Sequence, residues 1–127
     1  MNATPSVACQ CNVAPKLIFA CSGASDVGEI TDLTARRLAN AGAGKMYCLA
    51  GVGGRVPGIM KHTAQAGRIL AIDGCPNDCA KHTLLAAGFT NFEHLQLKTL
   101  GLNKGSRPGT QENIQTAFNK GQALLAS

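Results

Sequence analysis

The sequence lacks tryptophan and has only four phenylalanines and one tyrosine, so aromatic side chains contribute little to its core. It also lacks any run of about 18 apolar residues, the length that a membrane-spanning helix needs, and we therefore expect no membrane span. The first 15 residues show no charged region followed by an apolar one, which is the mark of a secretory signal. We expect a cytoplasmic protein, and in that reducing compartment clustered cysteines favour metal binding or thiol chemistry over disulfides.

Charged residues are also sparse, at 15% of the chain. The net charge is +5, but the basic residues are scattered singly apart from Arg36 and Arg37, and no basic run is interleaved with aromatics. A nucleic-acid-binding surface is therefore not expected. A hydrophobic fraction of 45% over 127 residues is typical of one folded domain with a buried core.

Apolar segments rich in β-forming residues alternate along the chain with segments of helical periodicity. Strands are predicted over residues 16–21, 46–50, 68–72 and 94–100, and helices from Asp26, Pro57, Pro76 and Thr110. This alternation predicts a single three-layer α/β domain, with a mostly parallel sheet of about four strands and helices on both faces, Rossmann-like or flavodoxin-like. The domain is expected over residues 16–127, after a cysteine-containing arm at 1–15.

Cysteine is the residue type that this sequence has in excess for its predicted compartment, with six in all. Cys21 ends one predicted strand, Cys75 follows another after Asp73-Gly74, and Cys48 lies near the end of a third. Parallel sheets of this kind bind ligands beyond the carboxyl ends of their strands, so we expect these thiols to gather at one edge. Cys79 comes four residues after Cys75, near a predicted helix start that would also stabilise thiolates.

Several thiols at one point favour zinc, which prefers sulfur or imidazole ligands in a tetrahedron. The predicted ligands are the strand-end thiols and their helical neighbour: Cys21, Cys75 and Cys79, with Cys48 as the leading candidate for the fourth position. Further possible ligands are Cys9, Cys11 and His82. His62 and His94 have no partner nearby in the sequence and are interpreted as structural.

Other functions compete with a zinc site. The main alternative is a thiol redox or thiol-transfer enzyme that uses Cys21 or the Cys75/Cys79 pair. A phosphatase-type site is disfavoured, because residues 22–28 contain no arginine or lysine to neutralise an oxyanion. The glycine-rich stretch 51–58 lacks the ending of a phosphate-binding P-loop and is assigned to tight turns. Four thiolates can also hold an iron–sulfur cluster.

Three segments in this order resemble the DGC-domain family, named for the Asp-Gly-Cys motif found here at 73–75. They are ACSGASDVG at 20–28, MYCLAGVGG at 46–54 and IDGCPNDCA at 72–80. The family consists of small proteins expected to bind zinc, and the resemblance implies zinc ligation by Cys21, Cys48, Cys75 and Cys79. The CxC pair at 9–11 is also similar to one found in members. The family implies no settled reaction, so whether the protein is an enzyme stays open.

Overall fold

The structure is a computed structural model, and it describes residues 14–103, 105 and 111–126. Four strands form its sheet: β1 (Lys16–Ala20), β2 (Lys45–Met46), β3 (Arg68–Asp73) and β4 (Glu93–Gln96). Their order is β2-β1-β3-β4, and every neighbouring pair is parallel. The predicted α/β fold with a parallel sheet of four strands is confirmed.

The helices of the described chain cover both faces of this sheet, which gives the three layers that the sequence predicts. They are α1 (Asp26–Asn40), α2 (Leu49–Gly53), α3 (Pro57–Ala64), α4 (Cys79–Ala86) and α5 (Gln111–Ala126). Alternate residues of β1 serve the two layers: Ile18 packs with α1 and α5, and Phe19 with α2, α3 and α4. Burying each such side chain stabilises the fold by about 1.5–3 kcal/mol. No helix in the described ranges is both long and apolar enough to cross a membrane.

The strand order places the crevice of the sheet between β1 and β3. The chain leaves β1 for α1 on one face and leaves β3 for α4 on the other, so the two loops diverge and open a space between them. Cys21 directly follows β1, and its N–H donates to the carbonyl of Ile72 at 3.0 Å. Cys75 follows β3 after a single glycine. The two cysteines therefore border the same crevice.

The predicted strand over residues 46–50 is wrong beyond Met46. The paired residues of β2 are Lys45 and Met46, and the short helix α2 follows almost at once. Cys48 is the N-cap of this helix, and its Sγ accepts the N–H of Gly51 at 3.3 Å. A short apolar run does not distinguish a strand from a buried helical turn. Here β2 is an edge strand, so only one neighbour is available to extend its pairing.

The fourth strand is also shorter than predicted. It covers Glu93–Gln96, and a 3-10 helix over Leu97–Leu100 replaces its second half. The side chain of Gln96 accepts the N–H of Lys98 at 3.1 Å, and this cap starts the turn. The predicted cap of the last helix, Thr110, lies outside the described residues.

Gly74 is required by close packing between the β3 loop and α1. A Cβ at this position would lie 2.7 Å from the Cβ of Val27 and 2.8 Å from its carbonyl oxygen. We expect Gly74→Ala to lower the free energy of unfolding by about 1–3 kcal/mol, because backbone must move to admit the methyl group. Denaturant unfolding measures this loss.

The matched control for this substitution is Gly58→Ala. Gly58 lies in α3, and nothing is within 4 Å of a Cβ added there. Alanine is the better helix former by about 1 kcal/mol, so the control is expected to be neutral or slightly stabilising. Equal losses in the two variants would show that the contact with Val27 is not what selects glycine at position 74.

Candidate metal centre

The candidate site is built on Asp73, the last residue of β3, whose side chain is 1% exposed. Its Oδ1 accepts the N–H of Ala80 at 2.8 Å, and its Oδ2 accepts the N–H of Lys81 at 3.0 Å. The Nε2 of His94 lies 2.8 Å from Oδ2 and donates to it, since an ionised carboxylate only accepts. Three hydrogen bonds thus satisfy a buried carboxylate and anchor the first turn of α4.

The predicted helix start at Pro76 is wrong. The contacts of Asp73 explain why α4 begins at Cys79 instead. Asp78, just before the helix, has a left-handed backbone with φ of 52° and ψ of 47°, a region that aspartate enters more readily than most residues. Gln96 of β4 holds this turn by donating to the Asp78 Oδ1 at 2.5 Å and to the Cys75 carbonyl at 2.9 Å. Cys75 and Cys79 therefore do not lie on one helix. A turn that is held by hydrogen bonds from Gln96 separates them.

The loop after β1 is held just as closely. The hydroxyl of Thr31 donates to the carbonyl of Cys21. A Cβ on Gly28 of α1 would lie 2.8 Å from the carbonyl oxygen of Gly23, so α1 packs directly against this loop. The backbone of Cys21 is thereby fixed from both sides, by the β3 ladder and by α1.

The thiols of the two loops approach one another across the crevice. The Cys79 thiol lies near enough to the thiols of Cys21 and Cys75 for both of them to raise its pKa. Although Cys79 is exposed as a residue, partial burial raises the pKa of its thiol. The neighbouring thiols of Cys21 and Cys75 and the charge of Asp73 raise that pKa further.

The sulfur atoms are near each other but are not closed on one point. Within the described part of the chain, the only three candidate ligand atoms that all lie within 4.8 Å of one another belong to Asp73, Asp78 and His94. Thiolates bound to one zinc at about 2.3 Å are about 3.8 Å apart, so the cysteines must move closer to bind it. The oxygens of Asp73 and Asp78 already accept hydrogen bonds from α4, His94 and Gln96, and we interpret this group as the support of α4.

The other predicted ligands lie in different surroundings. Cys48 is exposed and borders an open cleft together with Cys21. His82 is exposed on α4, one turn after Cys79. Cys9 and Cys11 lie outside the described residues, as does most of the arm predicted at 1–15.

Two residues that support the site could not be found from the sequence. His94 is interpreted as structural because no partner lies nearby in the sequence, and Gln96 carries no motif of its own. They lie at alternate positions of β4, whose register pairs Asp73 with Gln96 and Ala71 with His94. The sequence does show that His94 and Gln96 alternate and so point to the same side of the strand. That pattern identifies no partner until the neighbouring strand and its register are known.

The fold and this site define a class: a small α/β protein with free thiols around the switch point of a parallel sheet. The sequence profile of the DGC domain matches residues 17–120. The chain belongs to the DGC-domain family. In this structure each letter of the motif has its own physical reason, since Asp73 anchors α4, Gly74 admits Val27, and Cys75 borders the crevice.

The chain is also similar to a curated protein, the "anaerobic and virulence modulator AnvM" of Pseudomonas aeruginosa strain PAO1. The two are 41% identical over 88 residues, which is 69% of this chain and 67% of the relative. No solved structure matches this chain at a significant level.

Proposed function

We propose that this protein binds one zinc ion through Cys21, Cys75 and Cys79, with Cys48 as the candidate for a fourth ligand. The observation that carries this proposal is that Cys21 and Cys75 border one crevice between β1 and β3, and that the thiols of both raise the pKa of Cys79. A divalent cation beside Cys79 would offset the repulsion from the neighbouring thiolates and make this thiol easier to deprotonate.

The donor set fits zinc in its chemistry. Zinc accepts three or four thiolates. Hydrogen bonds already hold the backbone of Cys21 and Cys75, which lowers the conformational entropy that is lost when the metal binds. Four protein ligands make a closed, structural site, whereas three leave a position for water or a substrate. Whether Cys48 binds the metal therefore decides between a structural and a reactive centre. A reducing compartment such as the cytoplasm would keep these thiols available.

Elemental analysis of protein purified without chelators tests the proposal directly. We expect about one zinc ion per chain and three or four thiols that resist a thiol reagent until a chelator is added. Zinc far below one equivalent, with all six thiols reactive from the start, would rule the proposal out.

Zinc affinity is expected to depend steeply on pH. A thiol binds zinc only as the thiolate, and the pKa of Cys79 is raised above its ordinary value by burial and by the neighbouring thiols. The metal therefore displaces protons, and the apparent affinity should rise as the pH rises from about 6 to about 8. Competition with a chelator of known pH dependence measures the slope, and an affinity that does not change with pH would exclude protonated thiols as the resting state.

A thiol redox protein is the second candidate. Cys21 raises the pKa of Cys79 more than Cys75 does, so we favour a disulfide between Cys21 and Cys79 over the Cys75/Cys79 pair. The raised pKa of Cys79 makes it a poor nucleophile at neutral pH, and we therefore rank the redox candidate second. A role as an anaerobic modulator, as the relative is described, is compatible with either chemistry.

Mapping of disulfides by mass spectrometry separates the two candidates. Oxidised glutathione would accept two electrons as the two thiols lose their protons and form one S–S bond. A redox protein should yield the Cys21–Cys79 disulfide and recover on reduction. Zinc-loaded protein that resists this oxidation until the metal is removed would favour the metal site.

A further inference from the structure

An open cleft of about 460 Å³ lies beside the loop that carries Cys21. Its size is in the range of small-molecule sites, which are about 300–1,000 Å³. The cleft is lined by residues of four segments: the loop after β1, helix α1, the residues just before α2, and helix α4. Among them are Ser22, Arg36, Tyr47, Cys48 and Thr83. Cys21 and Cys48 therefore border a space that is large enough for a metabolite.

Arg36 is held at this cleft in an orientation that leaves most of its donors available. Its Nε donates to the Oδ2 of Asp32 at 2.8 Å, and the Oδ1 of Asp32 accepts the Ser22 hydroxyl at 2.9 Å. No residue in the described ranges accepts a hydrogen bond from its Nη groups, and the side chain is 63% exposed. A guanidinium oriented through Nε presents two parallel donors, the geometry that binds a carboxylate or phosphate in two places.

The charges of this pair persist at neutral pH. The hydrogen bond from Arg36 is the main reason that the pKa of Asp32 is below its ordinary value, and the Ser22 hydroxyl acts in the same direction. Residues 22–28 contain no arginine or lysine, so the loop after Cys21 has no cation of its own to pair with an oxyanion. The fold supplies a cation from α1, since Arg36 borders the same cleft as Cys21 and Ser22.

The next residue, Arg37, is turned to another part of the molecule. Its guanidinium lies 4.9 Å from the ring centroid of Phe118 and contacts the side chain of Gln115, both on α5. Two consecutive arginines thus have different roles, one packed between helices and one presented at the cleft. This pair supplies a matched control for any ligand that binds there.

We propose that the cleft binds a small organic anion, whose carboxylate or phosphate group pairs with the Nη edge of Arg36 while the rest of the molecule extends toward Cys21 and Cys48. The net charge of +5 favours the approach of such an anion. Neither Arg36 nor Asp32 is among the proposed zinc ligands, so the group that pairs with the anion is distinct from the metal centre, although Cys21 and Cys48 border both.

Titration of the ¹⁵N-labelled protein, followed by NMR, tests this inference with malonate, inorganic phosphate and neutral malonamide at constant ionic strength. We expect saturable shifts at the amides of Ser22, Gly23 and Arg36 with at least one of the two anions and none with malonamide. A response to malonate alone identifies a carboxylate site, and a response to phosphate alone a phosphate site.

The variants decide whether Arg36 is responsible. Arg36→Gln should weaken anion binding by about 10-fold or more, whereas Arg37→Gln should leave it unchanged. The zinc content of both variants should equal that of the wild type, which separates this inference from the metal proposal. Absence of saturable shifts with either anion, or wild-type affinity in Arg36→Gln, would overturn it.

Discussion

Cys79→Ser is expected to abolish stoichiometric zinc binding, the largest effect of any single substitution in this protein. The thiols of Cys21 and Cys75 both raise the pKa of Cys79, so Cys79 lies near both loops of the crevice. Removal of a hydrogen-bond partner of a ligand costs about 10–100-fold in metal affinity, and loss of a ligand should exceed that range. Serine is close in size and is well tolerated near a helix start, so the fold should survive.

The control for this variant lies one turn further along α4. His82 is exposed, and His82→Gln should retain zinc unless its imidazole is a ligand. Cys48→Ser tests the fourth position without disturbing the fold, because a serine hydroxyl can take over the cap on Gly51. Wild-type zinc affinity in Cys79→Ser would show that the crevice thiols do not hold the metal.

Asp73→Asn is expected to have the second largest effect, although Asp73 is not a proposed ligand. The amide keeps the shape of the carboxylate but places an NH₂ group among three donors, from Ala80, Lys81 and His94. Buried donors left unpaired cost about 1–3 kcal/mol each, and we expect a loss of about 3 kcal/mol in the free energy of unfolding. Zinc affinity should also fall, by about 10–100-fold, because the start of α4 carries Cys79.

Chemical unfolding and chelator competition measure these two losses separately. The comparison variant is Asp32→Asn, which removes a carboxylate of a partly exposed ion pair with Arg36. Exposed pairs contribute at most about 1 kcal/mol, so this variant should unfold nearly as the wild type does and keep its zinc. Similar losses in the two aspartate variants would contradict the role assigned to Asp73.

Local patterns predicted the architecture well where burial is complete. The apolar runs at β1 and β3 are the two central strands. Both faces of these strands are buried, so nearly all of their residues are apolar. The errors in the strands fall at the edges of the sheet, at residues 46–50 and 97–100, where a short apolar segment has partners on one side only. There the choice between strand and helical turn depends on caps such as Cys48 and Gln96, which contribute only once the neighbouring chain is in place.

The sequence by itself determined that Cys21 and Cys75 end parallel strands, because hydrophobic runs and the residues that terminate them are local features of the chain. Only the tertiary structure decided that β1 and β3 are neighbours whose loops part to opposite faces, which is what brings Cys79 to Cys21. The same packing brought His94 to Asp73 and Arg36 to the cleft. Strand order and register arise from contacts between distant segments, and one-dimensional spacing carries no measure of them.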